Sequence, residues 1–261
     1  MMLSVNNFKT FAGKEFTENL RTKKLLALAC VFILLALMSV LTARFMVEIL
    51  TAALSAEEAF AGMVIPDPVW TDSYAQLYSN LTQIGMLAFV MLFMGVILHE
   101  KSTGTIDLML AKGLTPTVFV LSKYAVAGII ALAALYFAVF TTYVYTLLLF
   151  DYGGQIGNIL IGAVPLGVFM LMMLALTLMW SAIAKSTAIS AMLGIVTFFL
   201  FIPIEFIPVV GLYSPSRLLG HGLTLSAGGS AENLFVQIIA AIAVSVLALA
   251  AAVVVLRRRE G

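Results

Sequence analysis

Six apolar runs, each close to the length a helix needs to cross a bilayer, constrain this chain more than any other feature. They occupy 25–43, 77–98, 123–150, 159–183, 188–208 and 234–256. At 1.5 Å per residue, about 20 apolar residues span a hydrocarbon core of about 30 Å. Hydrophobic residues make up 62% of the 261 and charged residues only 10%, where soluble domains carry about 45–50% and about 25%. That excess has no place inside a water-soluble core, so the expected fold is an all-α integral membrane protein, with 1–261 forming a single six-span domain. The first run follows a polar segment and has no small-residue cleavage site after it, so it reads as a retained span and not a signal peptide. Pro203 and Pro208 make the fifth run the most irregular.

The lysines and arginines set a direction. Lys9, Lys14, Arg21, Lys23 and Lys24 precede the first run, Lys101, Lys112 and Lys123 lie between the second and third, Lys185 between the fourth and fifth, and Arg257, Arg258 and Arg259 after the sixth. Only Arg44 and Arg217, of 14 basic residues, belong to the other face. Cytoplasmic loops carry the excess of basic residues, so both ends of the chain are expected in the cytoplasm of a prokaryotic cell, around a multi-pass protein of its cell membrane.

Two segments outside the runs have patterns of their own. In 8–24, Phe8, Phe11, Ala12, Phe16 and Leu20 recur at helical spacing among Lys9, Lys14, Glu15 and Glu18, which predicts an interfacial helix over 6–24. The outer segment 47–76 carries five carboxylates and predicts a short helix over 51–60, with Trp70 and Tyr74 at the outer interface. Between the second and third runs, Glu100 and Lys101 end a span in water, Ser102 or Thr103 can cap a new helix, and Gly104 allows a sharp turn. Ile106, Met109 and Leu110 then share one face, with Asp107 and Lys112 elsewhere. Gly113 stops the helix and Thr115-Pro116 opens the next. The expectation is a short amphipathic helix over 102–113.

Catalytic signatures are absent. The chain has no G-x-x-x-x-G-K-[ST] phosphate loop, no H-E-x-x-H and no G-x-S-x-G. His99 and His221 fall on opposite faces of the expected topology, so no metal site, catalytic residue or resident cofactor is expected. Cys30 is the single cysteine and excludes a disulfide within the chain. The spans are nearly free of ionisable groups, which argues against an ion-coupled carrier. Glu205, at the outer end of the fifth run, is a candidate outer gate or a solvated carboxylate. Arg44 and Glu48, four apart, are expected to pair.

The stretch around Glu100 resembles the membrane subunit of a type-2 ABC exporter. In that family the second span ends in an acidic, charged cluster, followed by Gly-Thr, a short apolar helix and a proline-containing start of the third span with a lysine. Here these are Glu100-Lys101, Gly104-Thr105, 106–110, Pro116 and Lys123. Lys14-Glu15-Phe16 with Asn19-Leu20-Arg21, and Tyr213-Ser214-Pro215, also resemble family segments. The resemblance covers the whole chain in layout and is specific in these three short segments.

It implies that 102–113 is a coupling helix seated in a separate cytoplasmic ATPase subunit, present in two copies and carrying Mg-ATP. Glu100, Lys101, Gly104, Thr105, Ile106, Asp107, Met109, Leu110 and Lys112 would form this contact. Lys14, Glu15, Phe16 and Arg21 of the interfacial helix would feel the same push. A second membrane subunit, identical or related, would complete a path across the lipid bilayer, and no nucleic acid is involved. At Ala111-Lys112-Gly113-Leu114 the chain departs from the commonest family form, a small residue followed by proline and valine. An ATPase-independent carrier or channel and a non-transporting membrane scaffold are the alternatives.

Overall fold

The computed structural model describes residues 2–54, 66–111, 113–205 and 207–258, and every regular element among them is helical. The chain begins with α1 (Met2–Arg21) and continues into α2 (Lys24–Leu54) after a tight turn in which Lys23 takes a left-handed φ of 57°. At 31 residues α2 runs well past the expected end of the first span. Residues 51–54, expected in a separate short helix, are therefore its last turn, because nothing between 43 and 54 interrupts the helical ladder. The rest of that expected helix, 55–60, lies outside the described residues.

The second span, Trp70–Ser102, is assembled from pieces. These are α3 (Trp70–Asn80), a π-helical turn (Leu81–Gly85), α4 (Met86–Phe93) and α5 (Val96–Ser102), with Met94 and Gly95 between the last two. It starts seven residues earlier than the apolar run predicts. Polar residues such as Asp72 and Ser73 hide the start from a hydropathy reading, while the Asp72 side chain accepts a bond from the Val69 amide and so holds the first turn. Tyr74 is completely buried and donates to the Gly153 carbonyl at 2.8 Å, and Trp70 packs edge-on against Tyr74 and Tyr152. Tyr74 thus meets protein and not the outer interface.

A short α6 (Thr105–Ala111) leads to α7 (Pro116–Phe150). Thr115 caps α7 by accepting from the Val118 amide, and Pro116 occupies the first turn where its missing N–H costs nothing. At 35 residues, α7 is about 52 Å long, more than a bilayer core requires, and Lys123 falls two turns inside it. Next come α8 (Ile156–Ile183), which passes through Pro165 unbroken, and α9 (Thr187–Ile204), capped by Ser186. Between α9 and α12 (Leu234–Arg257) the chain forms α10 (Val210–Tyr213), a 3-10 turn (Pro215–Arg217) and α11 (Leu218–Ser226). Segment 211–230 is therefore largely helical rather than a plain loop. α11 packs on α8 and α3, where Gly162 and Gly222 bring backbones together and Tyr78 Oη lies 2.9 Å from Ser226 Oγ.

α7 and α8 form the centre of the bundle, 67% and 72% of their most apolar windows being buried. α2 packs on α7 with α3 beside it, and α9, α11 and α12 pack on α8. The same measure is only 17% for α9, 22% for α12 and 28% for α2, so these three helices turn mostly hydrocarbon outward. Among the described residues, six helices are long and apolar enough to cross a membrane.

Candidate functional site

At the lysine-rich end of the bundle, three elements far apart in sequence meet around one ammonium group. α1 lies against α7 and α2, and among its described side chains the buried ones are Phe11, Glu15 and Asn19, four residues apart. This is not the stripe that hydrophobicity predicts. Phe16 stands 44% exposed, and the Leu20 side chain lies outside the described residues. The ladder turns inward at Glu15 because α7 presents a partner there. Lys123 Nζ donates to Glu15 Oε1 and Oε2 at 3.0 and 2.9 Å, and to Glu100 Oε1 at 3.1 Å. The three side chains are at most 5% exposed. Burial of this kind is tolerable for charges that neutralise one another with short hydrogen bonds.

Lys14 covers the triad from the rim. Its ammonium bonds Glu100 Oε1 at 3.2 Å and Glu18 Oε2 at 3.1 Å, and stands 3.6 Å from Glu15 Oε1. The rings of Phe11 and Phe119, 5.6 Å apart, form a floor, with Lys123 Nζ 5.1 Å from the Phe119 centroid and Lys14 Nζ 5.2 Å from that of Phe11. A cleft of about 270 Å³ opens beside the cluster, bordered also by Thr22, Lys24, Val96 and His99. Among the described residues Glu100 Oε2 is buried and has no hydrogen-bond partner.

The electrostatics differ across the cluster. Burial pushes the Glu15 carboxyl above the ordinary carboxylate value, against the pull of Lys123. Burial also acts to lower Lys14, but Glu100, Glu18 and Glu15 together outweigh it and raise the ammonium. For Glu18, burial acts upward, but the Lys14 hydrogen bond and the charges of Lys14, Lys123 and Lys24 together outweigh it, leaving the carboxyl low. Glu15, Glu18 and Glu100 lie close enough to offer one oxygen each to a cation. Both Glu15 oxygens, Glu100 Oε1 and Glu18 Oε2 already face ammonium groups, so lysine fills the role a metal would take. The chemistry of this arrangement is mechanical: it ties α1, the end of the second span and the start of α7 into one unit.

The residues singled out in the turn go to different places. Glu100 joins the ionic cluster. Lys101 instead caps the end of α8, donating to the Ala182 and Ala184 carbonyls at 3.0 and 3.1 Å. In α6, Gly104 and Gly113 bracket the helix with φ of 69° and 89°, as their positions predict. Ile106 is buried and Met109 half-buried against the core, while Leu108 is 66% exposed. Ser102 and Thr103 do not cap α6. Their hydroxyls turn back to the His99 carbonyl at the end of α5, and Thr103 also meets the Thr105 hydroxyl. The Asp107 and Leu110 side chains, and Lys112 altogether, lie outside the described residues.

Elsewhere, Arg21 is exposed at the end of α1. Glu205 ends α9 half-exposed, and its backbone carbonyl lies against Gly211. Arg44 lies over the Phe150 ring at 5.9 Å instead of meeting Glu48 among the described ion pairs. Two residues that sequence reasoning passed over, Ser181 and Ser190, bond the backbone at the interruption of the second span. Serine in an apolar run gives no hint of such a role, since most span serines bond their own helix, as Ser39 and Ser245 do here.

Fold and site together define an all-α, multi-pass membrane protein with a buried ionic junction at its lysine-rich end. No protein-family model matches the chain, and no curated protein matches it by sequence.

Proposed function

We propose that this chain is the membrane-spanning permease subunit of a type-2 ABC exporter, moving a substrate with ATP hydrolysed by a separate subunit. The observation that carries this reading is Lys123 holding Glu15 and Glu100 at once. A push on α6 reaches Glu100 through a single turn at Gly104, and Glu100 shares its ammonium with α1 and α7. Force applied at one short helix would thus be delivered to two long helices and an amphipathic one together, which is what a partner-driven transporter requires. In this reading the lysine-rich end is cytoplasmic, α6 is the coupling helix, and its exposed Leu108 faces the ATPase. The mostly exposed α2, α9 and α12 leave room for a second membrane subunit as well as lipid.

Copurification tests the proposal. Pulldown of the full chain in mild detergent should recover a soluble protein with a phosphate-binding loop, whose ATP hydrolysis changes when this chain is present. Recovery of no such ATPase, with transport persisting without ATP, would favour a carrier or channel instead.

A further inference from the structure

The second span is interrupted five residues before Glu100, and the interruption is supported from outside. In an unbroken helix the Leu98 amide would bond the Met94 carbonyl. Here the Ile97 and Leu98 amides both donate to Ser181 Oγ at 3.1 Å, and the Met94 carbonyl accepts from Ser190 Oγ at 2.7 Å. The two halves of one missing helical bond are thus satisfied by two hydroxyls, from the end of α8 and the start of α9. Gly95 sits in the break at φ −104° and ψ 6°, close enough to α9 that an added Cβ would be 3.2 Å from Thr187 Cγ2. The helical ladder resumes with the His99 amide on the Gly95 carbonyl. Serine hydroxyls and neighbouring helices are the means by which a broken span satisfies its backbone inside a membrane.

We propose that α5 is a lever detached from the rest of the second span, held in its broken position by Ser181 and Ser190, which stand in for the Leu98-to-Met94 bond. The alternative position is a continuous helix in which Leu98 bonds Met94 directly and both serines are released. In the continuous state the Ile97 and Leu98 amides bond the Phe93 and Met94 carbonyls. The two buried serine hydroxyls then turn to the carbonyls four residues back in their own chain, as Ser39 and Ser245 do. Both states thus pair their buried polar groups and stay accessible. α5 carries Glu100 at one end of the lever, so its position sets that of the ionic junction. What the movement accomplishes rests on the proposed function, but the break and its supports do not.

The test uses the full chain in lipid nanodiscs, with Cys30→Ser and spin labels at exposed Ile84 and Ser102. The distance between labels is then compared with that in S181A/S190A, in S181T/S190T and in G95A. In S181A/S190A, and in G95A where alanine favours helix over glycine, the distribution should move to a single new maximum. S181T/S190T keeps both hydroxyls and should retain the original one. If the double alanine chain does not reach the membrane, each single alanine substitution should give a mixture of both maxima. An unchanged maximum in the alanine variants, or broadening without a second maximum, would overturn the lever. No ATPase enters this measurement, so its failure is separate from failure to recover one.

Discussion

Lys123 of α7 and Glu15 of α1 form a bidentate contact of 2.9 and 3.0 Å across 108 positions of sequence, inside a cluster almost closed to solvent. Glu100 shares the same ammonium, so the end of the second span cannot shift without disturbing α1 and α7. Every prediction about this end of the molecule begins from that sharing.

Removing Lys123 should be worse than removing either acid. Lys123→Met leaves two buried carboxylates facing each other, and stripping one partner from a buried pair costs about 3–5 kcal/mol. Melting of the purified chain in detergent should show a larger loss for K123M than for E15Q. The triple variant K123M/E15Q/E100Q, which leaves no charge behind in the triad, should recover part of it. Equal melting of K123M and wild type would mean the junction is not buried as described.

Gly104 should be intolerant of a side chain for conformational reasons alone. Its φ of 69° is left-handed, which costs an L-residue about 1–2 kcal/mol and suits a β-branched residue least. An added Cβ would meet no neighbour among the described residues, so Gly104→Val should insert and melt nearly as wild type while α6 changes direction. In a reconstituted complex, ATP hydrolysis should then persist while export falls at least tenfold. Undiminished export in G104V would remove α6 from the force path.

The packing of α11 on α8 depends on Gly162. A Cβ there would overlap Ser226 Oγ and lie 2.7 Å from the Gly222 carbonyl. Overpacking of this kind costs about 1–3 kcal/mol. Gly162→Ala should therefore lower the temperature at which the chain leaves its monodisperse peak in size-exclusion chromatography, and Ser226→Gly in the same chain should restore part of the loss. No recovery in the double variant would place the strain elsewhere.

The rim of the junction sets the pH limits of α1 docking. Lys14 is raised above its ordinary 10.5, so its stabilisation is complete below that value and is lost as pH rises through the higher folded one. Glu18 is lowered from 4.5, so its stabilisation holds above that value and is lost as pH falls through the lower folded one. Glu15 is raised from 4.5 and works in the opposite sense, gaining stability as it takes up a proton on acidification. Lys24, His99, Glu100 and Lys123 face the same cleft and share its field. Protease cleavage between α1 and α2, followed as pH falls from 7, should show no loosening of α1 until below 4.5. Glu18→Gln should weaken the acid transition, and Glu15→Gln should not. Loosening between pH 7 and 5 would contradict the upward displacement of Glu15.

Composition and periodicity alone determined that the chain is helical, that it has six spans, and about where most of them begin and end. A run of some 20 apolar residues has few other places to go. Local chemistry also settled the turns at Gly104, Gly113 and Thr115-Pro116, since left-handed backbone and helix caps depend on near neighbours. Tertiary structure alone decided which acids are buried. Glu15 reads as a surface charge and Phe16 as an anchor, yet their places are exchanged, because what a helix buries depends on the groups its neighbours present. The interruption of the second span was equally hidden. A lone Gly95 in an apolar run is no sufficient reason to break, and the hydroxyls that satisfy the broken ends come from Ser181 and Ser190, brought there only by the packing of α8 and α9.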